Sequence, residues 1–239
     1  MRSIVQGREP AVFRQWKRIN KSTPQNLTYA NIPSATKIQL KSKLLEEQGG
    51  ICAYTMCRLE NTDNCHIEHI EPQNSKPEKA LDYSNMVACF PKDGGDKSFG
   101  YGAPVKGGRP VDINVNFVSP HGRGCEKKFH FDSAGGIHAV ASDIAAENTI
   151  EMLGLDSSIL SELRQAALAA HGLTVSQRNL RRRTPRLTAT EASQLAARIV
   201  KPQNANSQLE PFCVAIAEVA NSYAKQEKAR SKRMRKKKK

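Results

Sequence analysis

The chain lacks long apolar runs. None of its segments approaches the roughly 18 consecutive apolar residues that a membrane-spanning helix needs, and the mean hydropathy is -0.56. No apolar segment of a secretory signal follows residues 1–8. We therefore expect a cytoplasmic protein with no membrane partner. In that compartment its six cysteines would be thiols or metal ligands rather than disulfides.

Acidic residues are scarce relative to basic ones, since 23 Asp and Glu face 37 Lys and Arg, for a net charge of +14. Ten basic residues and one acidic residue lie in 225–239, so this tail carries +9 and the remainder +5. Like charges at this density repel one another, which predicts a disordered polybasic tail from residue 225 to 239 that attracts nucleic-acid phosphates. A solvated tail that serves solubility is the alternative.

The candidate nucleic-acid-binding residues lie in this tail and in an upstream arginine cluster, which on its own fits an exposed loop equally well. They are Arg181, Arg182, Arg183, Lys232, Arg233 and Arg235.

The length of 239 residues and the absence of an internal repeat predict one domain with appendages. A helix capped by Thr36 should end at Gly49-Gly50. Alternating apolar residues over 111–117 predict a strand, and Ser133 to Gly136 predict a hairpin turn after an aromatic strand. Capping residues predict further helices, which begin near 143, 157, 188 and 211. The sequence therefore indicates an α+β protein. We divide it into an N-terminal helical segment (1–50), a core with a β-hairpin (51–141), a helical scaffold or partner-docking region (142–224) and the tail.

The most informative motif is His66-Ile67-Glu68-His69, which is followed by Pro72 and Asn85. A carboxylate beside an imidazole is what a one-metal phosphodiester hydrolase needs. Glu68 can hold a divalent cation, and a neutral His69 can accept a proton from water near pH 7. The tetrapeptide alone is weak evidence, because such short patterns recur by chance.

Cysteines flank this motif, and thiolates around a short loop indicate a structural zinc knuckle. Cys52 and Cys57 have four residues between them, and no second CxxC pair is present. Cys89 is the best third ligand, and Cys65 or Cys125 would complete four. Small buried thiols that act as hydrophobic side chains are the alternative.

The segment Ile51-Cys52-Ala53-Tyr54, the His66–His69 motif with Pro72, and Asp82-Tyr83-Ser84-Asn85 together resemble an HNH endonuclease. More narrowly, they resemble the HNH nucleases of bacterial Septu and retron antiphage systems. Further motifs in the same order extend the resemblance over roughly residues 1 to 180. They are Met1-Arg2, Glu9-Pro10, Trp16, Leu44 to Gln48, Lys106-Gly107, Ser119-Pro120, Cys125-Glu126-Lys127 and Thr149-Ile150-Glu151.

This resemblance implies a ββα-metal, treble-clef-like nuclease core. His69 would be the general base, and Glu68 would be a ligand of a single divalent ion, Mg²⁺ or Mn²⁺. Asn85 would hold the catalytic loop and orient the histidine, and His66 would assist the metal site or bind a phosphate. The expected substrate is DNA, with RNA as the second candidate.

The same resemblance implies a role and partners. The protein would be a bacterial cytoplasmic effector of antiphage defence that works with an ABC-type ATPase. Whether it forms a homo- or hetero-oligomer is left open.

Two departures from the family pattern matter. Thr55 stands where the second knuckle cysteine is usual, which puts the structural Zn²⁺ in doubt. Gly102-Ala103 replace a cysteine and the last ligand of the HNH signature, so the third metal ligand is missing or comes from elsewhere.

The carboxylates available as a third ligand are Asp93 and Asp96, with His121 and His130 as more remote options. Both aspartates also fit turn positions beside Gly94-Gly95. The alternative function is a catalytically impaired, HNH-derived module that binds nucleic acid or a partner.

Overall fold

A computed structural model describes residues 1–113, 115–173, 187–202 and 208–237 of the chain. The described part is α+β, with two small antiparallel hairpins among mostly short helices. The helices are α1 (Ala11–Ile19), α2 (Ser34–Gln48), α3 (Ala103–Lys106), α4 (Ile144–Leu153), α5 (Ser158–Ala170), α6 (Ala189–Ile199) and α7 (Cys213–Lys237). The strands are β1 (His66–His69), β2 (Met86–Cys89), β3 (Phe129–Phe131) and β4 (Ile137–Ala139).

The first hairpin pairs β1 with β2, so that His66 lies opposite Cys89 and His69 opposite Met86. Successive side chains of a strand point to opposite faces. Accordingly Ile67 and His69 are buried, whereas His66 and Glu68 are partly exposed. All of β2 is buried, and α2 packs against it.

The outer edge of β2 is closed by one side chain from the end of α2. The Gln48 amide nitrogen donates to the carbonyls of Ile51, at 2.8 Å, and Ala88, at 2.9 Å. Its amide oxygen accepts the N–H of Ala88 at 2.7 Å. Gln48 thereby satisfies both backbone groups of Ala88 that point away from β1.

The predicted helix ends are confirmed where a local capping signal is present. α2 stops at Gly49, which adopts the left-handed conformation with φ 65°. Asp143 and Ser157 cap α4 and α5, and Thr188 forms a capping box with Glu191 at the start of α6. Thr36, however, lies inside α2 rather than at its start, because the helix begins at Ser34.

The strand predicted over 111–117 is wrong: the described residues of this segment form a turn. The carbonyl of Asp112 accepts the N–H groups of Val115 and Asn116, at 3.1 Å and 3.0 Å. The Asn116 side chain in turn accepts the N–H of Asp112 at 2.7 Å. The Asn116 side chain offers the backbone a local partner, and the resulting turn overrides the alternating apolar pattern.

Helix α7 runs to Lys237, whereas the sequence predicted disorder from Lys225. The residues added to the helix are mainly Lys, Arg, Ala and Gln, which have high helix propensity. Glu227 and Arg230, one turn apart, also approach to 3.6 Å. The helical backbone therefore continues past Ala224, which is the last buried residue among the described side chains of α7. Among the described residues, no helix is long and apolar enough to cross a membrane.

Candidate functional site

A cleft of about 260 Å³ opens beside the partly exposed face of β1. Strand β1 contributes His66 and Glu68 to its wall, and α3 contributes Ala103. The loop after β2 supplies the remaining polar lining, which consists of Lys92, Asp93 and Lys97. The cleft therefore brings together two side chains of the HxEH motif and one of the two candidate aspartates.

His66 is fixed at one ring nitrogen and faces Glu68 with the other. Its Nδ1 is bonded to the carbonyl of Pro91, which can only accept, so Nδ1 carries the hydrogen. The opposite nitrogen, Nε2, lies 3.5 Å from the Glu68 Oε2 atom. Burial favours the neutral ring, but the bonds to Glu68 and to the Pro91 carbonyl outweigh it and raise the pKa of His66.

The other oxygen of Glu68 is held by a lysine that sequence reasoning did not select as a site residue. Lys106 Nζ lies 2.5 Å from Glu68 Oε1 and donates to the His69 carbonyl at 2.9 Å. The Lys106 side chain is fully buried. The ammonium group thus keeps Oε1 turned inward and leaves Oε2 on the side of His66.

His69 is buried, and both of its ring nitrogens have partners. Nε2 lies 2.9 Å from the Ala80 carbonyl, so it carries the hydrogen, and the lone pair of Nδ1 accepts from Gln73 at 3.1 Å. The ring also makes an edge contact with Tyr29, with the ring centroids 4.8 Å apart. Burial lowers the pKa of His69, which keeps the ring neutral near pH 7.

Glu68 and His69 do not meet in the cleft. Glu68 lines it, whereas His69 is not among its lining residues and belongs to the buried face of β1. This follows from their adjacency in one strand, because neighbouring side chains project to opposite faces. Only His66 and Glu68, two positions apart, share the open face.

Asn85 holds the loop that follows β1. Its side-chain oxygen accepts the Glu71 N–H at 2.8 Å, and its nitrogen donates to the Glu71 carbonyl at 2.9 Å. A weaker contact reaches the Lys79 carbonyl at 3.4 Å. The hydrogen bonds that orient the His69 ring come from Ala80 and Gln73, so the effect of Asn85 on that ring passes through the loop.

Of the four candidates for a third metal ligand, Asp93 lies in the cleft lining and the other three lie elsewhere. Asp93 lines the cleft and pairs with Lys41 at 2.6 Å. Asp96 closes a turn with Ser98 and is not among the lining residues. His130 pairs with Glu218 of α7. The backbone N–H of His121 donates to the Ser119 hydroxyl, and neither histidine is among the residues that line the cleft.

The donor atoms of His66 and Glu68 fit one divalent ion. Ligands at about 2.0–2.2 Å from a common ion lie roughly 3 to 3.5 Å apart when adjacent, and the Nε2–Oε2 separation is 3.5 Å. Within the described ranges no group of three or more His, Cys, Asp or Glu is arranged to hold a metal. An ion held by this pair would take its remaining ligands from water or substrate oxygens, as Mg²⁺ commonly does.

The cysteine knuckle is closed by backbone contacts. The Cys52 N–H donates to the Cys57 carbonyl at 2.8 Å. Burial raises the pKa of Cys57 to about 12 and that of Cys89 well above its usual value. Burial also opposes ionisation of Cys52, but hydrogen bonds from Cys89 and Thr55 outweigh it and lower the pKa of Cys52 to about 5. All six cysteines are free. A structural zinc site at Cys52, Cys57 and Cys89 stays a prediction.

The candidate nucleic-acid contacts are only partly visible. Lys232 and Arg233 are exposed on α7. Arg181, Arg182 and Arg183 lie outside the described residues, and the described side chains stop short of Arg235.

Neither a scan against protein-family models nor a search of curated proteins finds a match to this chain.

Proposed function

We propose that this protein is a metal-dependent endonuclease of the HNH type, which hydrolyses phosphodiester bonds of DNA, with RNA as the second candidate. The β1–β2 hairpin and α3 would form its ββα-metal core. One observation carries the proposal: His66 Nε2 and Glu68 Oε2 converge within 3.5 Å in an open cleft, on the strand that ends in the neutral imidazole of His69.

His66 and Glu68 would hold the divalent cation, Mg²⁺ or Mn²⁺, with Asp93 at the rim of the cleft. The ion would supply stabilisation of negative charge on the scissile phosphate and the leaving oxygen. Lys106 supports this arrangement because it fixes one oxygen of Glu68 and leaves the other for the ion.

His69 would act as the general base through Nδ1, since Nε2 is committed to the Ala80 carbonyl. The Gln73 amide donates to Nδ1 at 3.1 Å, in the position that a water molecule must take in order to lose its proton to the ring. Catalysis therefore requires Gln73 to move when substrate binds. It also requires the His69 ring, which lies on the opposite face of β1 from Glu68, to come within reach of a water molecule at the cleft. Catalytic hydrogen bonds often form only in the substrate complex, so these requirements are compatible with the present geometry.

The biological role rests on the family resemblance alone. It would be cytoplasmic antiphage defence in a bacterium, under the control of an ABC-type ATPase partner. The helical region 142–224 is a candidate for docking that partner, and the basic end of α7 is a candidate for contact with nucleic acid.

Plasmid nicking tests the proposed reaction. Wild-type protein with Mg²⁺ or Mn²⁺ should convert supercoiled plasmid into open circles, and a chelator should abolish this conversion. His69→Ala and His66→Ala should each lower the rate, by about a hundredfold or more for a lost general base. Equal cleavage by His69→Ala and wild type would refute the role of His69.

A second candidate function is a catalytically impaired module that binds nucleic acid or a partner protein. One observation favours it: Ala103, which lines the cleft where the family has its last ligand, offers no donor atom. Under this alternative, nucleic-acid binding survives Glu68→Ala and His69→Ala, and no cleavage occurs even with the partner present.

A further inference from the structure

Both lysines in the cleft lining, Lys92 and Lys97, lack an ion-pair partner within the described residues. The cleft also holds two carboxylates, and each already has a lysine of its own. Glu68 pairs with Lys106 at 2.5 Å, and Asp93 pairs with Lys41 at 2.6 Å. Both of those lysines are largely withdrawn from solvent, with exposed side-chain fractions of 0% and 12%. The positive charges in the cleft lining that no carboxylate pairs with are those of Lys92 and Lys97, which are both exposed.

The loop that carries these two lysines is held against the cleft at several points. His66 bonds the carbonyl of Pro91, directly before Lys92, and Lys41 binds the carboxylate of Asp93. On the far side of the loop, Asp96 accepts hydrogen bonds from both the N–H and the hydroxyl of Ser98. The two ammonium groups are therefore presented on the lining of the cavity that contains Glu68.

We propose that Lys92 and Lys97 bind phosphate oxygens of a nucleic-acid backbone on either side of the phosphodiester that reaches Glu68 and His66. This assignment rests on the proposed function for the cleft as the place of cleavage. Lysine ammonium groups are compact point charges that bind phosphates without regard to base sequence. Lys41 then has a positioning role, because it fixes the loop through Asp93.

Binding measured without cleavage tests the assignment. Fluorescence anisotropy of full-length protein in excess chelator would give Kd for duplex DNA, single-stranded DNA and RNA of one sequence, over a salt series. The test variant is Lys92→Ala/Lys97→Ala. The matched control is Lys21→Ala/Lys127→Ala, which removes two lysines that are also exposed but do not line the cleft. Thermal melting checks that both fold, and Lys92→Gln/Lys97→Gln is the second test variant.

Loss of two phosphate contacts should weaken binding by roughly tenfold or more at about 0.1 M salt. It should also reduce the slope of log K against log salt by about 1.8 for duplex DNA and about 1.4 for a single strand. The control variant should stay within roughly threefold of wild type, with its slope nearly unchanged. A loss confined to one of the three nucleic acids supports the assignment and identifies the backbone bound.

Equal losses of affinity and slope in the test and control variants would overturn the assignment, since only total charge would then matter. This result is distinct from failure of the proposed function. If His69→Ala cleaves plasmid as well as wild type, the nuclease mechanism fails, while the anisotropy still reports whether Lys92 and Lys97 bind the backbone.

Discussion

At the scale of single residues, the buried ammonium group of Lys106 fixes the position of the Glu68 carboxylate in the cleft. It meets the Glu68 carboxylate and the His69 carbonyl at once, so it ties together two consecutive residues of β1 that face opposite ways. Removal of one partner from a buried ion pair leaves the other charge uncompensated, which is far more costly than the loss of an exposed pair.

Lys106→Met should therefore lower the free energy of unfolding by about 3 kcal/mol, as measured by urea denaturation. Lys41→Met is the control, because its partner Asp93 is 68% exposed, and it should cost less than about 1 kcal/mol. Glu68→Gln/Lys106→Met should recover part of the loss, since no lone carboxylate remains. A Lys106→Met protein as stable as wild type would contradict the burial argument.

His121 predicts a dependence of stability on pH. Both of its ring nitrogens are shielded from solvent, and burial lowers the pKa of the ring below its unfolded value near 6.5. Below about pH 6.5 the His121 ring is therefore protonated in the unfolded chain but stays neutral in the folded one. Since the unfolded chain binds more protons, the free energy of unfolding falls as the pH drops below about 6.5. Unfolding free energies at about pH 7.5 and pH 5 should differ less in His121→Gln than in wild type. An identical difference in both proteins would rule this out.

The sequence offered candidate site residues with recognisable chemistry but missed the residues that hold them in place. Glu68, His69 and Asn85 stand in a motif with fixed spacing, so they can be selected without coordinates. Lys106 reaches Glu68 across 38 positions, and Tyr29 reaches the His69 ring from another part of the chain. No local pattern encodes such contacts. The opposite orientation of Glu68 and His69 follows only once both residues are known to lie in a strand, because neighbouring side chains of a strand project to opposite faces.

At the scale of elements, the second hairpin depends on one turn glycine. Gly135 has φ 84°, and a β-carbon there would overlap the carbonyl oxygen of Ser161 in α5. Its own carbonyl accepts a hydrogen bond from the buried Arg164 side chain. The β3–β4 turn is therefore packed directly onto α5.

Gly135→Ala should cost about 3 kcal/mol or more, through steric overlap in addition to backbone strain. Gly94→Ala is the matched control, because Gly94 also has positive φ, at 67°, but has open space around it. It should cost only the left-handed strain of about 1–2 kcal/mol. Chemical denaturation of both variants measures the difference, and equal costs would show that packing against α5 contributes nothing.

Elements were predictable where their signals are local. The caps at Asp143, Ser157 and Thr188 and the stop at Gly49 are read from one or two neighbouring residues. The strand predicted over 111–117 failed because the hydrogen bonds of Asp112 and Asn116 compete with the alternating pattern. The length of α7 was underestimated because repulsion between its charges was weighted above helix propensity.

At the scale of the whole molecule, the first half of α7 packs against the protein, whereas its second half carries most of the net charge. Among the described side chains of α7, burial ends at Ala224, and the segment beyond it carries +9 of the net +14. A chain that ends after Ala224 should keep its free energy of unfolding within about 0.5 kcal/mol. Its affinity for duplex DNA, measured by anisotropy, should fall and become less dependent on salt. Unchanged affinity would mean that this segment does not touch nucleic acid.

Gln48 has a consequence for how the protein behaves at high concentration. An unpaired strand edge offers backbone donors and acceptors to the edges of other molecules, and this is a common start of aggregation. Because the buried Gln48 side chain and the Ala53 N–H already occupy the backbone groups of Ala88 along that edge, the hairpin offers no template there to a neighbouring chain. The Gln48 side chain and the Ala53 backbone thus shield the middle of β2 from self-association.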